Sequence, residues 1–195
     1  MKKIFNNKIF ISLVLVFVIG LIFGIFFLFM VKDSQNDTIY KGIEEYIELI
    51  NNNEVSLKSF VNSFTNHFFL INLIFISSFA FIFFPIIYII NFYKGFSIGF
   101  LISSLILNYK IRGLKYALVL LFPHEYIFIL LMLIISLYSL INASKLFKLY
   151  KEDKSIRIKT LYNKFGMIYL ITIILISVIS VLEVFINYRL VNIIF

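Results

Sequence analysis

The dipeptide His124-Glu125 is the first place to look for chemistry, because a zinc protease needs two histidines one helical turn apart with a glutamate beside the first. The position of the second histidine is held by Phe128, so the motif fails. The other histidine of the chain is His67, and two histidines in a chain without cysteine make a three-ligand zinc site only if carboxylates join them. The lack of cysteine also excludes a disulfide framework and any thiolate nucleophile. Ser77, Ser78, Ser103 and Ser104 lie in apolar surroundings, with no Gly-x-Ser-x-Gly elbow or Ser-Lys pairing to activate them. They read as small residues for close helix packing or backbone hydrogen bonding. There is no Gly-x-x-x-x-Gly-Lys phosphate loop. No catalytic residue, metal ligand or cofactor follows from these patterns, and the chain is not expected to be an enzyme.

Charges inside apolar sequence are the next signal, because an ionised group in hydrocarbon is costly and normally faces other helices or a wet cavity. Glu125 and Glu183 are the acids nearest to or inside apolar stretches. With Arg112, Lys115 and His124 they are expected to form one polar cluster toward the outer leaflet, serving either as a transport or docking site or as a structural set of ion pairs. Two further pairs concern packing. Gly20 and Gly24, and Gly95 and Gly99, each put two glycines on one helix face, where backbones can approach closely, within the chain or between two copies of it.

The elements that must carry these residues are membrane helices. The chain has 195 residues, of which 62% are hydrophobic and only 14% charged, against roughly a quarter charged in soluble domains. Uncharged apolar stretches run over 9–31, 68–93, 126–144 and 165–182, and about 20 helical residues cross a hydrocarbon core. A shorter stretch covers 95–109. Abundant Phe, Ile, Asn and Lys point to an AT-rich bacterial genome, and hence to the bacterial plasma membrane. The net charge of +8 is read as orientation and contact with anionic membrane lipid, with no soluble basic domain to grip nucleic acid.

Charge patterning orders the segments. Lys2, Lys3 and Lys8 make the N-terminus basic; 32–67 holds three Lys against six acids, net −3; 145–164 holds seven basic residues against two acids, net +5. The positive-inside trend places the first and last of these in the cytoplasm and the second outside. An even number of crossings between the two basic regions then requires the 15 residues of 95–109 to cross as well. The expected fold is an all-α polytopic membrane protein of one integral domain. It has about five spans (9–31, 68–93, 95–109, 126–144 and 165–187), an outer polar segment at 32–67, a cytoplasmic basic loop at 145–164 and the C-terminus outside. Lys110, Arg112 and Lys115 then lie outside, against the trend. The alternative is a broken-helix hairpin over 95–122 with breaks at Gly113 and Pro123. Within the outer segment, Ile39, Ile43, Tyr46, Ile47 and Ile50, and then Leu57, Phe60, Val61 and Phe64, recur at helical spacing. They predict two amphipathic helices on the outer leaflet.

The block Phe92-Tyr93-Lys94-Gly95-Phe96-Ser97-Ile98-Gly99-Phe100, then Arg112-Gly113-Leu114-Lys115, then Leu121-Phe122-Pro123-His124, followed by a long apolar helix, resembles the stage II sporulation protein M family. The similarity covers residues 85 to 145 best. Tyr116 and Glu125 depart from the family pattern, which favours glycine at the first position and Gly or Asn at the second. The resemblance implies a non-enzymatic membrane scaffold that acts in engulfment and cell-wall remodelling by anchoring peptidoglycan hydrolases, secreted or membrane-bound. A membrane-spanning subunit of a transporter or permease is the alternative, with the charged residues along its path. Besides lipid and hydrolases, a second copy of the chain is a partner the sequence leaves open.

Overall fold

The computed structural model describes residues 2–30, 41, 57–79, 81–121, 124–151 and 155–194. These form six α-helices: α1 (Lys2–Met30), α2 (Leu57–Ser77), α3 (Phe84–Tyr109), α4 (Ile111–Leu121), α5 (His124–Lys151) and α6 (Ser155–Ile194), with a 3₁₀ turn at Phe81–Phe83. There is no strand among the described residues. Five helices carry apolar spans long enough to cross a membrane: Lys8–Leu28, Leu57–Ser77, Phe84–Tyr109, His124–Leu149 and Asn163–Ile186.

The number of spans agrees with the sequence, but two of their boundaries do not. The run 68–93 is not one span, since it breaks at Ser78–Phe83. Ser77 and Ser78 turn their hydroxyls back to the carbonyls of Leu73 and Phe75, each at 2.7 Å, and Pro85 in the first turn of α3 starts a new helix without losing a backbone bond. The stretch 95–109 is therefore the second half of the 26-residue α3 and not a span of its own. Leu57, Phe60, Val61 and Phe64 likewise do not form a surface helix. They are the first turns of α2, which runs unbroken to Ser77. The helix expected around Ile39–Ile50 lies outside the described residues.

Helix α3 ends at Lys110, whose φ of 54° reverses the chain in a conformation that costs a non-glycine residue about 1–3 kcal/mol. The 11-residue α4 then packs back on α3, with Leu105 and Ala117 buried together and the rings of Tyr109 and Tyr116 in edge contact at 5.2 Å. Gly113 is not the break that a hairpin over 95–122 would need. It is helical, and its missing side chain lets α4 rest on the backbone of Leu105 and Ile106.

The most extensive helix pair is α1 with α3. Gly20 and Gly24 face the backbone of Phe92 and Phe96, while Gly95 and Gly99 face Phe17 and Leu21. Partners rise together along both helices, so the two run parallel. The second layer is α2, α5 and α6, in which Phe75 of α2 stacks on Phe165 at 4.9 Å and on Tyr169 at 4.0 Å, both of α6. Tyr169 also donates to Asn72. The apolar core between the layers gathers Leu13, Ile71, Ile74, Ile87, Phe128, Met132 and Ile176, all of them buried.

A candidate ionic site inside the bundle

Lys94 is the eleventh residue of the 26 in α3, so its ammonium begins near the middle of a membrane span rather than at its edge. An isolated charge there would be prohibitive. It is paired: Lys94 Nζ donates to Glu125 Oε1 at 2.6 Å, and both side chains are nearly buried. Glu125 lies in the first turn of α5, where the unsatisfied amides of the helix N-terminus favour a carboxylate. This placement has a geometric consequence. Because Glu125 reaches Lys94, α5 starts part of the way down α3 and not at its end, and α4 spans the offset with about 16 Å of helix.

A second ion pair lies beside the first. Glu183 of α6 accepts from Ser63 at 2.5 Å and meets His67 Nε2 at 2.9 Å, both on α2. Phe128, fully buried, touches a member of each pair. The His67 ring sits 4.0 Å from its centroid, and Lys94 Nζ lies 4.9 Å from it as a cation–π partner. His124, only 3% exposed, completes the group among Glu183, Glu125, His67 and Lys94. Three polar atoms of the group are buried without a hydrogen-bond partner: Nδ1 of His67, Nδ1 of His124 and Oε2 of Glu125.

Of the five residues expected to cluster, the structure brings together His124, Glu125 and Glu183 and leaves out Arg112 and Lys115, which are exposed on α4. His124 is buried inside the bundle. Lys94, His67 and Ser63 were not foreseen as members. Lys94 reads as a boundary when apolar runs are cut at every charge, and His67 reads as part of a polar loop. The four serines weighed as nucleophiles all donate to carbonyls of the preceding turn, Ser103 to Gly99 at 2.9 Å and Ser104 to Phe100 at 2.7 Å among them.

One turn before Lys94 on α3, the fully buried Asn91 donates to Ser136 of α5 at 2.9 Å. Another turn back, Tyr88 meets Ser12 of α1 at 3.0 Å. Tyr88, Asn91 and Lys94 thus form a polar stripe on one face of α3, linking it to both layers.

The family model described as stage II sporulation protein M matches residues 7–187 of the chain. No curated protein and no solved structure matches it.

Proposed function

Because the chain belongs to the stage II sporulation protein M family, we propose that it is a non-enzymatic scaffold of the bacterial plasma membrane, which holds peptidoglycan-degrading proteins at the outer surface during engulfment and wall remodelling. The observation that carries this reading is where the chain has length to spare. The connections after α3, α4 and α5 are one, two and three residues long, whereas 26 residues separate α1 from α2. Those residues hold six of the chain's ten acids against two lysines, net −4. A bundle with short connections at every other helix end and one long acidic excursion is suited to presenting that excursion to a partner.

The relative placement of the ends supports an outward excursion. Ile9, Phe84, Tyr88, Leu140 and Ser144 meet around one small cavity, so the basic N-terminus and the basic 145–164 region share one end of the bundle. The acidic segment leaves from the opposite end. The positive-inside trend then orients the N-terminus and 145–164 to the cytoplasm, and the acidic segment and C-terminus outward. Alkaline phosphatase fused after Asn52 should be active and a fusion after Lys154 inactive; the reverse pattern overturns the orientation.

Deletion of 34–54, in a chain that still inserts, should release fluorescently labelled wall hydrolases from the membrane and block engulfment. Recruitment of every hydrolase by the deleted chain would sink the docking assignment. A permease subunit is the second reading, favoured by the ionised pair in mid-span. Solute flux in liposomes containing the purified protein would put that reading in its place.

A further inference from the structure

We propose that the buried charges between α2, α3, α5 and α6 form a site for one proton, held between His67 and Glu183. Charge counting leads there. Among the described residues, the groups that face the site are Ser63 and His67 from α2, Lys94 from α3, His124 and Glu125 from α5, and Glu183 from α6. With both imidazoles neutral, one ammonium faces two carboxylates and the site carries a net −1 inside an apolar bundle. The apolar surroundings give it little screening, with the Phe128 ring packed against both His67 and the Lys94 ammonium. One added proton makes the site neutral and gives the 2.9 Å contact of His67 Nε2 with Glu183 opposite charges on its two sides, an imidazolium donating to a carboxylate.

Nδ1 of His67 and Nδ1 of His124 are buried without a hydrogen-bond partner, in two residues that are themselves almost wholly buried. The described side chains do not gather three metal-donor residues in a coordinating arrangement, which leaves a divalent ion without a cage. Access is through Glu183. It is the most exposed of the ion-paired side chains at 22%, and lies three residues before the end of the apolar span at Ile186. The proton welds α2 to α6, and this role is independent of whether the protein recruits hydrolases or passes a solute.

The chain contains only two histidines, so ¹⁵N-histidine labelling of the whole protein in lipid nanodiscs gives two ring systems, assigned by His124→Gln. Titration from about pH 5 to about pH 9 should show one of the two rings, His67, with both nitrogens protonated at the acidic end and one proton lost per molecule as pH rises. Glu183→Gln removes the excess negative charge at nearly constant shape, and should leave both rings neutral over most of the same range. Two neutral rings in the wild type throughout, or a cationic ring that Glu183→Gln leaves unchanged, overturns the proposal. The wild-type titration decides by itself if the variant does not accumulate. Exchanging potassium for sodium at fixed pH should move neither ring; loss of the cationic ring on adding sodium would make the occupant a sodium ion and refute the proton assignment.

Discussion

Two helix interfaces in this bundle hold by opposite means. Between α1 and α3, beyond the Ser12–Tyr88 contact near one end, four glycines bring backbone against backbone, and Phe23 against Phe92 at 6.0 Å and Phe27 against Phe96 at 5.5 Å flank them. Between α3, α2, α5 and α6 an apolar core is crossed by polar and ionic contacts from Lys94, Glu125, His67, Glu183 and Asn91. Lipid tails are as apolar as leucine, so neither interface gains from leaving the lipid. The first draws on dispersion at close range, which any added atom destroys. The second draws on charge neutralisation, which tolerates shape changes but not the loss of one partner.

The sharpest way to break that contrast is with bulk. Gly99→Leu should abolish accumulation of folded protein, because even a Cβ at Gly99 overlaps the carbonyl of Leu21 and backbone cannot swing aside. Gly99→Ala should be graded, costing about 1–3 kcal/mol as the helices part. Gly166→Leu is the control, since nothing lies within 4 Å of a Cβ there. Equal membrane levels and equal heat resistance in detergent for Gly99→Leu and Gly166→Leu would remove the close-packing account.

Charge deletion probes the other interface. Lys94→Met leaves Glu125 buried and unpaired and should cost about 3–5 kcal/mol, whereas Lys94→Met with Glu125→Gln should recover much of that loss. Thermal unfolding of the two single variants and the double variant gives the coupling; strictly additive losses would mean that the pair contributes only packing. Ser136→Ala removes one interhelical hydrogen bond from Asn91, which keeps its bond to Ile87 at 2.6 Å. The expected loss is about 0.6 kcal/mol, and one as large as that for Lys94→Met would show that the polar stripe acts as a single unit.

The two interfaces were not equally legible in the sequence. Glycines four apart name the packed face of a helix by themselves, so the pairs in α1 and α3 could be singled out without knowing that they pack on each other. An ion pair has no such local mark. Glu125 and Glu183 stood out as acids in apolar sequence, but their partners lie 31 and 116 residues away, and Lys94 looked like the end of a span because it is charged. The true break at Ser78–Phe83 was hidden for the converse reason: it is built largely of apolar residues, with only the paired serines and Pro85 to mark it. The charge pattern, which depends on whole segments, separated an acidic from a basic region without any local mark, and the helix ends that flank the two, Met30 and Leu57 against Lys151 and Ser155, are described in the structure.

The smallest expected effect tests whether glycine matters at α1 and α3 for space or merely for being glycine. Gly166 sits on the half-buried face of α6 with no atom near its absent Cβ, so nothing needs its small size. Replacing it with alanine removes the backbone freedom that a glycine must lose in a helix, worth up to about 1 kcal/mol in water. Gly166→Ala should therefore unfold at a slightly higher temperature than the wild type, while Gly20→Ala and Gly95→Ala unfold at lower ones, because the same methyl there meets the carbonyls of Phe92 and Phe17. The opposite signs are the point: a propensity effect would move all three variants upward, and a loss at Gly166 as large as that at Gly95 would show that close approach is not what distinguishes the α1–α3 crossing.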